Sequence, residues 1–335
     1  MMKKIMVTGG GGFIGHALVQ KLVSLGLDVR VMGRNRYPYL EQLGVDCIQG
    51  DICDPESILQ ATAGVDTVFH VAAKAGMWGQ RADFFAANVQ GTRNVLDSCL
   101  ANTVPVLVYT STPSVVFDSN NIENGNEELP YAKRPLCHYA ASKIEAEKLV
   151  LGENNHALRT CAIRPHLVWG PGDNHLIPRI IERGRKGQLK IVGDGKNRVD
   201  ITYIDNVVHA HILAAQNLHS TASADREAFF IGQKEPVFLW EWVNTLFREL
   251  GIRPVSKKVP YPVAYCVGGI LEGLYDLVRN PDEPKMTRFI AQQLAKSHWF
   301  SHEKAERLLG YSELVSTSTG LQCLIDSLRS RDAAR

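Results

Sequence analysis

Tyr139 and Lys143 stand four residues apart in Cys137-His138-Tyr139-Ala140-Ala141-Ser142-Lys143, a spacing that puts both side chains on one face of a helix. A phenol beside an ammonium can act as an acid. The cation favours the phenolate, drawing the tyrosine pKa from about 10 toward neutral, so the phenol can protonate a developing alkoxide. Reduction of a ketone needs such a group, although the spacing alone also fits a solvated helix face. Thr110, Ser111, Thr112 and Ser114 follow the apolar run Val106–Tyr109. One of these hydroxyls could steady a carbonyl oxygen, or they could simply cap a strand end.

Near the N-terminus, Ile5-Met6-Val7 runs into Thr8-Gly9-Gly10-Gly11-Gly12-Phe13-Ile14-Gly15 and then an amphipathic segment with Ala17, Leu18, Leu22 and Leu25. The order is strand, tight turn, helix. The consecutive glycines fit both G-x-G-x-x-G (Gly10, Gly12, Gly15) and G-x-x-G-x-x-G (Gly9, Gly12, Gly15). Glycine lets the backbone approach a pyrophosphate, and the helix start offers free N–H groups at a positive dipole end. Gly9, Gly12, Phe13, Ile14 and Gly15 are therefore candidate dinucleotide contacts. NAD sites place an acid after the second strand to hold the ribose 2′-hydroxyl. Here the next carboxylate after Asp28 is Glu41, and the intervening loop reads Gly33-Arg34-Asn35-Arg36. Arg34 and Arg36 suit a 2′-phosphate, so the expected cofactor is NADP(H).

These groups need a frame. Lys3–Thr8, Val29–Met32, Val45–Ile48, Val65–Val71, Pro105–Thr110 and Arg159–Ile163 read as strands with helical patterns between them. Near-continuous apolar strands alternating with helices predict a doubly wound α/β parallel sheet. Beyond about residue 165 the pattern breaks into Gly/Pro-punctuated pieces, with helical stretches at Leu239–Leu250, Val263–Val278 and Lys285–Ala295. The expectation is a dinucleotide-binding core over 1–165 and a smaller, mainly substrate-binding lobe over 166–335, some of whose segments return to the core.

Composition narrows the rest. A chain of 335 residues with 45% hydrophobic residues and a formal charge of +2 can bury a large core and carries no overall field for nucleic acid. The seven cysteines, Cys47, Cys53, Cys99, Cys137, Cys161, Cys266 and Cys323, include no CxxC and read as reduced, buried thiols. His298 with His302, and His209 with His211, lack the supporting ligands of a metal site, so no metal is expected. The start has no apolar run of signal-peptide length, which points to the cytoplasm. The most membrane-like stretch, Val259–Leu271, would span only about 20 Å as a helix. Pro262–Val278 includes Glu272 and Asp276, and reads as core or a partner-docking face before a shallow membrane contact.

Taken together, Thr8-Gly9 to Gly15, Gly50-Asp51, His70-Val71-Ala72-Ala73, Asn88-Val89-Gln90-Gly91-Thr92, Tyr139 to Lys143 and Arg164-Pro165 resemble the extended short-chain dehydrogenase/reductases, a Rossmann-fold family. The resemblance implies that Tyr139 and Lys143 are catalytic and that Thr112 completes the triad, with Ser111 as the neighbouring alternative. It also implies that Asp51 and Ile52 flank the adenine, that Ala72 and Ala73 line the cofactor, and that Pro165 lies near the nicotinamide. His70 replaces a frequent asparagine of the family and is left as structural. Tyr109 to Val115, Gly170-Pro171-Gly172-Asp173-Asn174-His175, Tyr203-Ile204-Asp205-Asn206 and Thr287-Arg288-Phe289 resemble the hydroxysteroid and sterol-carboxylate dehydrogenase branch. Ala72 to Gly76, Trp78-Gly79 and His298-Trp299 are similar to the bacterial 2-alkyl-3-oxoalkanoate reductases of long-chain olefin biosynthesis.

That likeness implies NADPH-dependent reduction of a β-keto acid carrying long alkyl chains; a homodimer and assembly with other enzymes of the pathway are further expectations. Trp240, Trp242, Tyr261, Tyr265, Tyr275, Phe289, Trp299 and Phe300 could line an alkyl channel or be plain core. For the substrate carboxylate the candidates are Lys74 and Arg179, then His166 and His175. A hydroxysteroid or sterol-carboxylate dehydrogenase and a non-catalytic NADP(H)-sensing protein remain the alternatives.

Overall fold

The computed structural model describes residues 2–153, 157–278, 280 and 282–333. Its centre is a seven-stranded sheet made of β1 (Lys4–Thr8), β2 (Asp28–Gly33), β3 (Asp46–Gln49), β4 (Thr67–His70), β5 (Val106–Thr110), β6 (Arg159–Pro165) and β7 (Glu227–Ile231). The order across the sheet is β7-β6-β5-β4-β1-β2-β3, and every pair is parallel. Alternate residues of one strand enter different cores: Ile5 and Val7 pack with Val31, Phe69 and Val108, while Met6 packs with Met32, Val68 and Leu107. Both faces are covered, which is why these strands read as unbroken apolar runs. The fold is the doubly wound Rossmann arrangement predicted from the alternation.

Six strands fall where the apolar runs predict them, within one or two residues. The seventh, Glu227–Ile231, was not anticipated. It pairs with β6 from Glu227↔Cys161 to Ile231↔Pro165 and brings a piece of the second half of the chain into the sheet. Helices α1 (Phe13–Ser24), α2 (Gly91–Ala101), α3 (His138–Leu151), α4 (Leu176–Arg185), α5 (Ile204–His219), α6 (Leu239–Glu249), α7 (Tyr261–Leu277) and α8 (Arg288–Ala295) complete the frame. The chain also returns to the sheet's core near its end, where Ala305, Leu309 and Tyr311 are buried against it.

A second core joins Trp169, Ile177, Tyr203, Trp240, Trp242, Leu246 and Phe247. Short strands build this lobe: Val237–Phe238, Arg198–Val199, His298–Phe300 and Ile122–Gly125 form one small sheet. Trp240 and Trp242 belong to this packed core rather than to a channel.

Two expectations need correction. Only Cys99, Cys137 and Cys161 are buried; Cys53, Cys266 and Cys323 are exposed and Cys47 is intermediate. Nor is α7 core, one of the two readings kept for it: of its residues only Ala264, Gly268 and Glu272 are buried, and Val263, Val267, Ile270, Leu274 and Leu277 face solvent. A Cβ on Gly268 would meet the Thr287 backbone at 2.6 Å, so α7 rests on the start of α8 through its smallest residue. Glu272 fixes the crossing by accepting from Arg288 N and Nε, each at 2.6 Å. Among the described residues no helix is long and apolar enough to cross a membrane.

Candidate active site

The strand order reverses between β1 and β4, and open α/β sheets bind ligands in the crevice outside such a point. Thr8 and His70 end those strands side by side. Thr92 Oγ1 donates to Asn88 O at 2.6 Å, so it accepts from His70 Nε2 at 2.9 Å, and His70 Nδ1 accepts from Thr8 Oγ1 at 2.8 Å. The imidazole is thus neutral. Burial, then the nearby Lys143 charge, pushes its pKa down to about 3. His70 is a structural tie, and Thr8 Oγ1 in turn accepts from Val71 N and Ala72 N, each at 3.1 Å.

The glycine turn opens directly above. Gly9 has φ +72°, and a Cβ there would meet the Ala72 backbone at 2.8 Å; one on Gly15 would meet Gly9 O at 2.2 Å. Packing therefore demands these two glycines. Gly12 differs, because a Cβ there would have only Gly9 O nearby, at 3.3 Å. It begins α1 without a side-chain cap, leaving the N–H groups around Phe13 and Ile14 available to an anion. A cradle that a Cβ would fill, at an uncapped helix start, fits a pyrophosphate.

At the edge, Gly50 N bonds Gly33 O at 3.0 Å and sets Asp51 and Ile52 beside the Arg34 loop. Asp51 Oδ1 accepts from Cys53 N at 2.9 Å, and Ile52 packs over Gly91. Arg34 and Arg36 are exposed. Tyr37, which the sequence reading passed over, lies across Gly11 and Gly33 so closely that a Cβ on either would collide with its ring. Ala72 is half-buried and Ala73 exposed at the crevice, while Pro165 is buried at the end of β6.

Lys143 and Tyr139 both project from the first half of α3. Lys143, 2% exposed, donates to Thr110 O at 2.6 Å and lies 4.1 Å from the Tyr109 ring centroid. Burial pulls its pKa down to about 7, against the opposing Glu147 charge. Glu147 is itself buried and receives Arg164 Nε at 3.0 Å and Nη2 at 2.5 Å. Burial pushes Tyr139 up to about 12, while the Thr112 hydroxyl nearby pulls the other way. The expected downward shift of the phenol is therefore absent here, because burial dominates. It is Thr112 rather than Ser111 that meets Tyr139; Ser111 Oγ is buried without a partner. Thr112 Oγ1 also lies 2.7 Å from Ser114 Oγ.

Asn88 is the site residue whose role was not foreseen. Lying in a π-helical turn, Ala86–Gln90, it accepts from Lys74 N at 2.7 Å and donates to Lys74 O and Ser142 Oγ at 3.0 and 2.9 Å. Ser142 Oγ donates to Tyr139 O at 2.8 Å. Asn88 thus joins the crevice loop to the helix that carries Tyr139, and a π-turn is the backbone feature associated with such places. Of the carboxylate candidates, Lys74 pairs with Asp83 at 2.6 Å and Arg179 with Glu283. His175 precedes α4, and His166 is buried against His298. Among the described residues no group of three or more His, Cys, Asp or Glu could hold a metal.

Residues 6–262 match the model of the 3-beta hydroxysteroid dehydrogenase/isomerase family. The chain belongs to that family. Over 96% of its length it is 47% identical to the 2-alkyl-3-oxoalkanoate reductase of Stenotrophomonas maltophilia, covering 98% of that protein. It is 35% identical to the mouse sterol-4-alpha-carboxylate 3-dehydrogenase, decarboxylating, over 97% of this chain and 91% of the other. The solved structure of MoeE5 in complex with UDP-glucose and NAD superposes with a TM-score of 0.75 at 26% identity, covering 98% of this chain and 99% of that one. As a member of the 3-beta hydroxysteroid dehydrogenase/isomerase family, this chain is an oxidoreductase of the extended short-chain type, whose cofactor is a nicotinamide dinucleotide.

The buried lysine has a measurable signature. Its pKa falls from 10.5 to about 7 on folding, so between those values the unfolded chain binds a proton the folded one lacks, and this group's contribution to stability rises with pH. The stability of the cofactor-free wild type, relative to Lys143→Met, should shift in the wild type's favour between pH about 6 and pH about 9. Thermal unfolding at both pH values reads it, and a constant difference would contradict the assignment.

Proposed function

We propose that this protein reduces a long-chain 2-alkyl-3-oxoalkanoic acid to the 2-alkyl-3-hydroxyalkanoic acid with NADPH. The observation that carries the chemistry is that Tyr139 and Lys143 share one face of α3, with Lys143 buried and bonded to Thr110 O at the end of β5, two residues before Thr112. The substrate class is supported by the 47% identical reductase. The proposed division has residues 1–165 holding the dinucleotide and residues 166–335 mainly enclosing the substrate, with Phe289 and Phe117 packed near Tyr139.

When bound, the reduced nicotinamide supplies a hydride to the ketone carbon. Tyr139, held protonated by its raised pKa, gives its proton to the ketone oxygen as that oxygen becomes an alcohol. Thr112 orients the same oxygen. Lys143 holds the ribose and, as a cation, offsets the negative charge left on the phenol. Gly9, Gly12, Phe13, Ile14 and Gly15 form the pyrophosphate turn; Asp51 and Ile52 flank the adenine, Ala72 and Ala73 line the crevice, and Pro165 backs the nicotinamide. Fresh keto acid incubated with enzyme and NADPH should give one hydroxy acid per NADPH consumed, read by mass spectrometry. Recovery of only unreacted acid and its decarboxylation product would refute the reading.

A sterol-carboxylate dehydrogenase is the second reading, favoured by the 35% relative. The two relatives' names describe one chemical unit, a carboxylate on the carbon next to the reacting one, so the same site serves either skeleton.

NADPH is preferred because Arg34 and Arg36 occupy the loop after β2 where an NAD site carries an acid. Arg34→Ala should raise KM for NADPH about 10- to 100-fold, the worth of a charge-assisted hydrogen bond, and leave KM for NADH within about twofold. Equal changes for both cofactors would rule the arginine out.

A further inference from the structure

His166 follows Pro165 at the carboxyl end of β6, and its Nε2 lies 2.6 Å from His298 Nδ1, 132 residues further along. His298 Nε2 lies 3.0 Å from Gln293 O. A carbonyl only accepts, so His298 carries its proton on Nε2. Its Nδ1 is then the acceptor, and His166 Nε2–H is the donor that fills it. The one ring nitrogen still able to bind a proton is His166 Nδ1, so the pair becomes cationic only through His166.

The pair borders a cleft of about 20 Å³ lined by Pro113, Ser114, Phe117, Gln293 and Phe300, room for one small polar group. Ser114 connects this cleft to the reaction centre, since its Oγ lies 2.7 Å from Thr112 Oγ1. In a β-keto acid the carboxylate sits one carbon from the ketone carbon. An oxygen held by Thr112 and Tyr139 therefore places the carboxylate a few ångströms away, on the scale of the step from Thr112 to Ser114. The two cations expected for the carboxylate are engaged, Lys74 by Asp83 and Arg179 by Glu283.

We propose that the His166–His298 pair is the subsite for the substrate carboxylate, taking up one proton as the anion enters the cleft beside Ser114. The inference rests on the β-keto acid reading above. Burial keeps both rings neutral when no anion is present, and a bound carboxylate reverses that preference. Among the described residues the charged group acting on the pair is Asp200, which favours a proton on His298; its Oδ2 accepts from Phe300 N at 2.8 Å and lies 3.5 Å from His302 Nε2.

The test compares a 2-alkyl-3-oxo acid with the dialkyl ketone it yields on losing carbon dioxide, in wild type, His166→Leu and His166→Gln. The glutamine variant keeps a donor toward His298 should the leucine variant fold poorly, and NADPH affinity reports an intact core. For the acid, KM should rise about 10- to 100-fold in either variant, while kcat/KM for the ketone changes by no more than about threefold. In the wild type, KM for the acid should rise with pH, because each carboxylate brings in a proton, and this slope should vanish in the variants. A wild type that reduces the acid, with variants losing acid and ketone equally or neither, overturns the subsite and leaves the proposed reaction standing. A wild type that does not reduce the acid overturns both.

Discussion

Tyr139→Phe should lower the rate of ketone reduction by about 10²- to 10⁴-fold, the usual worth of a positioned general acid, with NADPH affinity unchanged within about threefold. The substitution removes one oxygen from a ring that is otherwise packed with Phe117, Cys137 and Phe289, so the fold has little to lose. The removed atom is the one on which Thr112 acts. The loss should fall on kcat, because the phenol's proton is needed in the transition state and adds little to holding the ketone beforehand. Stopped-flow NADPH oxidation with tryptophan-fluorescence titration of the cofactor separates the two effects. Retained turnover would remove Tyr139 from the mechanism, and lost NADPH binding would make it a cofactor residue instead.

Gly12→Val produces the opposite pattern. A Cβ at this position has only Gly9 O within reach, at 3.3 Å, and its φ of −83° is open to any residue. The variant should therefore fold. Its side chain would occupy the space at the uncapped start of α1 where the pyrophosphate must approach the backbone. NADPH affinity is expected to fall by at least about 100-fold, with the melting temperature of the cofactor-free protein changed by only a few degrees, about what 1 kcal/mol costs a chain of this size. Gly15→Val is the instructive contrast: its Cβ would meet Gly9 O at 2.2 Å, so stability should fail before binding can be measured. If Gly12→Val bound NADPH normally, the cradle would have to lie elsewhere.

Features encoded by neighbours in the chain were legible in the sequence. The strand–turn–helix around Gly9–Gly15, the four-residue Tyr139–Lys143 step and the buried strands announce themselves over a few residues, because each needs one local backbone geometry. What was missed depends on distant partners. Glu227–Ile231 is five residues long and becomes a sheet strand only by pairing with β6. The two-residue strands of the lobe have no period to detect. The exposure of α7 was hidden because an apolar stripe looks the same whether a neighbour covers it or not. Asn88 stood within a recognised motif, but its bond to Ser142 spans 54 residues. The downward shift expected for Tyr139 is missing for a related reason: residue spacing shows the lysine, and only the fold shows that burial raises the phenol instead.

The proposed reaction is reduction of a β-keto acid with NADPH. The most direct test is the rate of NADPH oxidation by the purified protein with a freshly prepared long-chain 2-alkyl-3-oxo acid, run beside NADH and beside a 3-oxosteroid. The expected result is turnover of the acid with NADPH, slower turnover with NADH and little with the steroid. Turnover of the steroid alone, or NADPH bound but never oxidised by any of these ketones, would contradict it.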